Sequence, residues 1–126
     1  MRAIMLFFAA LTAVVSTAPG QTRDENRARC EDRDPDLSIG GCTALIQSGQ
    51  EPTASLAIAF NNRGNAYRDK GQYDRAIEDY DQAIRLNPNY AEAYNNRGLA
   101  KRAKGDFAGG DADIAKAKQL NPSLGN

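Results

Sequence analysis

Arginine and aspartate recur in this chain at one fixed separation. Arg63 stands 16 residues before Asp79 and Arg97 stands 16 before Asp113, so the pair itself returns after 34 residues. At that spacing a guanidinium and a carboxylate can meet across two antiparallel helices, and a structural salt bridge is expected in preference to a ligand site. Asparagines crowd the same places: Asn61, Asn62 and Asn65 around Arg63, and Asn95 and Asn96 before Arg97. A primary amide donates and accepts hydrogen bonds at once, so a row of them suits the backbone of an extended ligand. The chemistry available to these residues is recognition.

Reaction chemistry lacks its usual parts. The 126 residues include no histidine, which removes the commonest general base and the commonest transition-metal ligand. Carboxylate pairs such as Asp79 and Asp81 fall in a charge-rich helical pattern with no shielded pocket. The string DRDPD at 32–36 resembles the start of a calcium loop, but Leu37 stands at the glycine place and Thr43 at the place of the bidentate glutamate. Cys30 and Cys42 lie 12 apart, form no CxxC motif and, without histidine, make a poor metal site. In an oxidising compartment they are expected to form one disulfide. No catalytic residue, metal site or cofactor is assigned, and an enzyme is not expected. With 16 basic and 16 acidic side chains the formal charge is zero, which supplies no general attraction to nucleic acid or an anionic membrane.

These residues need elements to hold them, and the chain supplies a repeat. NNRG occurs at 61–64 and again at 95–98, with Gly71 and Tyr73, then Gly105 and Phe107, keeping step behind it. Within 57–90, Phe60, Gly64 and Tyr67 share one helical face that ends at Lys70-Gly71, where glycine supplies a left-handed cap. Tyr73, Ala76, Ile77, Tyr80, Ala83 and Ile84 form a second helical stripe, stopped at Pro88. The unit is an antiparallel helix pair, with Gly64 and Ala76 marking the close approach of its helices. Residues 91–124 repeat the plan with Tyr94, Gly98, Gly105, Phe107, Gly110, Ile114, Ala117 and Pro122.

A 34-residue period carrying an aromatic, a small residue and an aromatic, followed by alanine, tyrosine, alanine and proline, resembles the tetratricopeptide repeat (TPR) family. Phe60, Gly64, Tyr67, Ala76, Tyr80, Ala83 and Pro88 fall on the family pattern, and the second repeat departs from it at Lys101 and Gly110. The resemblance implies an all-α fold, a short α-solenoid of antiparallel helix pairs, and a binding module whose concave groove is lined by the first helix of each repeat. On that wall one stripe is Asn61, Asn65 and Arg68, with Asn62 beside it. The matching stripe is Asn95, Leu99 and Arg102, with Asn96 near. Asparagine at the places of Asn62, Asn65 and Asn96 is common in the family, so ligand contact and family habit are both open for them. Arg68 and Arg102 also have two readings: a pair of guanidinium groups offered to a carboxylate in the groove, or Arg68 paired locally with Asp69 or Glu92 and Arg102 merely exposed.

Upstream, PDLSIGGCTALIQSG aligns with YDRAIEDYDQAIRLN at an offset of 38, setting Ile39 on Ile77, Cys42 on Tyr80 and Ile46 on Ile84. The offset implies a loop around SGQEPT longer by four residues. Asp34 as cap and Pro35 at the first helical position start this helix, and about Arg23 to Arg33 forms its partner. Residues 21–50 are thus expected to be a degenerate N-terminal helix pair carrying Cys30 and Cys42. At the other end the places of Tyr67, Ile77 and Ile84 are taken by Lys101, Asp111 and Lys118, so the last repeat shows water a polar face and the array ends after about three pairs.

Residues 1–20 carry Arg2, an apolar run from Ala3 to Val15 and then small residues and a proline, the layout of a secretory signal peptide cleaved after Gly20 or after Ala18. The run is short of the roughly 20 residues a permanent membrane helix needs. The expected protein is a periplasmic or secreted module, monomeric in preference to oligomeric, that holds a protein or peptide partner. Nucleic acid is not expected, nor stable membrane insertion once the signal is removed. The alternative is a structural role as a self-assembling component of the cell envelope.

Overall fold

The computed structural model describes residues 20–124, and within them the chain forms α1 (Arg23–Cys30), α2 (Pro35–Ser48), α3 (Thr53–Asp69), α4 (Tyr73–Leu86), α5 (Ala91–Lys104) and α6 (Phe107–Leu120). Apart from Gly20, the expected signal segment lies outside the described residues. Among the described residues no helix is long and apolar enough to cross a membrane.

The helix ends have local causes. The Thr22 hydroxyl accepts the Glu25 N–H and the Glu25 carboxylate accepts the Thr22 N–H, a reciprocal cap that opens α1. Asp34 caps α2 by accepting from the N–H groups of Asp36 and Leu37, with Pro35 in the first turn. That start ends α1 early, at Cys30 and not near Arg33: Asp32 accepts the Asp34 N–H, and the residue before a proline is pushed out of helical geometry. Gly71 and Gly105, with φ of +74° and +102°, supply the left-handed turns after α3 and α5.

One expected boundary shifts. The connections 49–52 and 87–90 are equally long, and α3 begins at Thr53, a turn ahead of residue 57. The four extra residues near the N-terminus are therefore an added helical turn on α3 and not a longer loop. Pro52 permits this, because proline is compatible with a helix start.

Packing follows chain order: α1 on α2, α2 on α3, and so on to α5 on α6. The first helices also touch one another, α1 with α3 and α3 with α5, whereas α2, α4 and α6 make no mutual contacts among the described residues. The array therefore curves with its first helices on the inside. Cys30, Cys42, Leu45 and Ala59, with Ile46 against them, form a core that joins the first pair to α3. Ala76, Tyr80 and Ala100, with Tyr67 and Ile77 against them, join the second pair to α5. At the end of the array Lys101 instead pairs with Asp113 at 2.9 Å, Asp111 pairs with Arg102, and Lys118 is exposed.

The repeated glycine has a specific neighbour. A Cβ on Gly64 would lie 2.7 Å from the ring of Tyr80, so the fully buried tyrosine, and not Ala76, demands the glycine. In the last repeat a Cβ on Gly110 would meet the Arg102 side chain and lie 2.6 Å from the carbonyl oxygen of Gly98, which accounts for glycine at the alanine place there.

Candidate partner-binding groove

The inner wall is built from α1, α3 and α5, and its amides are tied together more tightly than a stripe pattern suggests. Asn61 is buried, and its Oδ1 accepts from Asn96 Nδ2 at 3.1 Å. Asn96 Oδ1 in turn accepts from Arg68 Nη1 at 3.4 Å, so these three residues lace α3 to α5. The Tyr80 hydroxyl donates to Asn65 Oδ1 at 2.6 Å and leaves Asn65 Nδ2 as a donor. Burial pushes the Tyr80 hydroxyl well above the ordinary tyrosine range, so it remains a protonated donor at neutral pH. Asn62 is half-buried and has no side-chain hydrogen bond among the described residues, Asn95 is half-buried, and Leu99 is exposed.

Arg102 departs from its expected place. Its guanidinium turns to α6, pairs with Asp111 and lies over the ring of Phe107 at 5.7 Å. Its long side chain covers the α5–α6 pair. Arg68 also differs from its local-pairing reading, since it bonds Asn96 and neither Asp69 nor Glu92. Of these two arginines, only Arg68 reaches across the wall.

Behind the wall sit the recurring ion pairs. Arg63 makes two-point contact with Asp79, and Arg97 with Asp113. Each guanidinium is held above its ordinary pKa, first of all by the hydrogen bond to its own aspartate. Burial by itself would raise the Asp113 carboxyl, but hydrogen bonds from Arg97 and Lys101 outweigh it and hold the group below the usual carboxylate range. The arginines also lie over aromatic rings, Arg63 over Phe60 at 5.6 Å and Arg97 over Tyr94 at 5.4 Å. These groups are committed to structure.

The cleft lies between α1 and α3. The Cys30–Cys42 disulfide forms as expected, with Cα atoms 4.5 Å apart, and fixes α1 beside the wall. One cavity of about 360 Å³ is bordered by Glu31, Asp32, Arg33, Asn62, Asn65 and Asp69. A second of about 210 Å³ adjoins it, bordered by Arg27, Leu45, Glu51, Ile58 and Ala59, and the two share Cys30, Glu31 and Asn62. Of the expected groove residues, Asn62 and Asn65 border this cleft, whereas Asn61, Arg68, Asn95, Asn96, Leu99 and Arg102 do not. Glu31 and Ile58 were missed. The available signal was the offset of 38, which sets Glu31 on Asp69 and so places an acid at the end of both first helices.

Six helices stacked in pairs, with first helices inside, define an all-α helical-repeat solenoid. Family models described as TPR repeat and as tetratricopeptide repeat match residues 64–105 and 91–124 respectively, so this part of the chain carries tetratricopeptide repeats. Comparison with curated proteins finds no match. Among solved structures, the second TPR of Spaghetti (RPAP3) bound to HSP90 peptide SRMEEVD is 25% identical with a TM-score of 0.67, over 79% of this chain and 88% of that one. The second TPR domain of human RPAP3, in complex with HSP70 peptide SGPTIEEVD, is 25% identical with a TM-score of 0.69, over 82% of each chain. MamA shares the fold at a TM-score of 0.65 and 24% identity, over 80% of this chain and 55% of that one.

Proposed function

We propose that the chain is an exported protein- or peptide-binding module that holds an extended segment along the wall of α1, α3 and α5. The observation that carries this is the state of the wall amides. Asn65 presents Nδ2 because Tyr80 holds its carbonyl from behind, and Asn62 beside it keeps its whole amide free at the edge of an open cleft. Donors fixed in advance lose little freedom on meeting a backbone carbonyl. That RPAP3 domains of similar fold hold the peptides SRMEEVD and SGPTIEEVD supports the same use of the fold here. The signal-like segment 1–20 and the disulfide support an oxidising compartment, periplasmic or secreted. The polar last repeat supports a monomer.

Selection of binders from a displayed random heptapeptide library, followed by calorimetry, tests the reading. Asn62→Ala with Asn65→Ala should weaken selected peptides by about ten-fold, as loss of one or two buried hydrogen bonds does, and should also lower the melting temperature, because the Tyr80 hydroxyl loses its acceptor; affinity is therefore compared well below that temperature. Peptides held equally well by the double variant would place binding elsewhere.

A further inference from the structure

We propose that the cleft between α1 and α3 selects a segment in which an apolar side chain stands within two positions of a lysine or arginine. This rests on the groove reading above and names the partner by its chemistry. The cleft has two adjoining halves, with Cys30, Glu31 and Asn62 on their shared border.

The smaller half offers apolar contact beside its polar groups. Its apolar surface comes from Leu45, Ala59, the disulfide-bonded Cys30 and Ile58, and Ile58 is 48% exposed. Two of its charged members answer each other, since Glu51, whose side chain is 2% exposed, binds Arg27 at 3.2 Å and also Arg23 at 2.6 Å, and Glu31 stands on the border with the larger half. An aliphatic side chain entering here covers Ile58, and the Arg27–Glu51 charges beside it are already paired.

The larger half is polar and leaves negative charge unanswered. Glu31, Asp32 and Asp69 border it with Arg33 as the one cation, and neither Glu31 nor Asp69 has an ion-pair partner among the described residues. The other cations near the groove are engaged. Arg27 pairs with Glu51, Arg63 with Asp79, Arg97 with Asp113 and Arg102 with Asp111, while Arg68 is bonded to Asn96. An ammonium or guanidinium between Glu31 and Asp69 gains charge-assisted hydrogen bonds, whereas a carboxylate there meets like charge. The Asn62 amide is placed to hold the backbone between the two side chains.

The test uses fluorescence anisotropy on the protein with three labelled heptapeptides that share one leucine and differ two positions away in lysine, glutamine or glutamate. The lysine peptide should bind about ten-fold more tightly than the glutamate peptide, the scale of one or two charge-assisted bonds. Glu31→Gln with Asp69→Asn should bring that ratio close to one, and Ile58→Ser should weaken all three peptides by a similar factor. Asn62→Trp, which fills the shared border, should abolish binding. If the glutamate peptide binds as well as the lysine peptide and Asn62→Trp still abolishes binding, the charge preference is wrong and the groove stands. If no peptide binds, or binding survives Asn62→Trp, the groove reading falls too.

Discussion

Arg63 reaches from α3 to Asp79 on α4 with two parallel hydrogen bonds, Nε to Oδ2 at 2.8 Å and Nη2 to Oδ1 at 2.7 Å, and its Nη1 continues to the Thr43 hydroxyl on α2 at 3.1 Å. Arg97 repeats the figure with Asp113 on α6 and Asp81 on α4. Each guanidinium closes its own helix pair and ties it to the one before. The side chains of Arg63 and Asp79 are only 18% and 6% exposed, so removing either member strands the other. Asp79→Ala should cost about 3 kcal/mol, and Arg63→Met with Asp79→Leu should recover most of that loss. Equilibrium urea unfolding gives both numbers; a cost below about 1 kcal/mol for Asp79→Ala would mean that water screens the pair as it does at a surface.

The depressed carboxyls set the acid limit of stability. Asp113 keeps its charge in the folded protein to lower pH than in the unfolded chain, where a carboxyl titrates near about 4. Glu51 shifts the same way, held down by the hydrogen bond from Arg23 against the effect of its burial, with Arg27 adding to the hold. Such a group stabilises fully above the unfolded pKa and loses that contribution as pH falls through the folded one. The melting temperature should therefore fall steeply below about pH 4. Asp113→Asn, less stable at neutral pH, should show a flatter acid limb, and identical limbs would assign the acid sensitivity to other groups.

Cys30 is the one buried side chain on α1, and a helix of eight residues does not hold itself together in water. Reduction, or Cys30→Ser with Cys42→Ser, should cost about 3 kcal/mol for a loop of this length. Amides of residues 22–31 should then exchange freely while α4, α5 and α6 keep their protection, as hydrogen exchange would report. A uniform loss of protection would mean that the whole array depends on its first pair.

Gly64→Ala should destabilise by about 1–3 kcal/mol, because the new methyl meets the Tyr80 ring at 2.7 Å and that ring is fully buried and anchored by its hydroxyl. Thermal unfolding would detect the loss. An unchanged melting temperature would mean that α3 and α4 can separate by a few tenths of an ångström at no cost.

The legible features were those with a period. Gly64, Ala83 and the Arg–Asp pairs recur at 34, and a periodic residue points to a contact that every repeat must make. The groove was harder to read because it is partly made where the period breaks: α1 has 8 residues where α5 has 14, and α3 begins a turn early. The array's end misled in a related way. Arg102 occupies the register position of Arg68, but Arg68 has Asn96 of a following helix to meet, whereas Arg102 has only Asp111 and Phe107 of its own pair. Register fixes where a side chain starts, and the neighbours it finds decide where it ends.

That difference between the two arginines yields a separate measurement. Arg102→Ala removes an exposed ion pair and a contact over Phe107, so it should cost no more than about 1 kcal/mol of stability and leave peptide affinity unchanged. Arg68→Ala frees the carbonyl of Asn96, whose amide also holds Asn61, and so loosens the lacing between α3 and α5. For the glutamine heptapeptide, in which ligand charge plays no part, the Arg68 variant should lose about 1 kcal/mol of binding, the net worth of a typical hydrogen bond. Calorimetry on the two single variants and the double variant separates the cases. Equal losses from both single variants would show that Arg102 leaves Asp111 when a ligand arrives and returns to the wall with Arg68; losses from neither would show that Asn96 needs no holding, and that the free amides of Asn62 and Asn65 carry the contact alone.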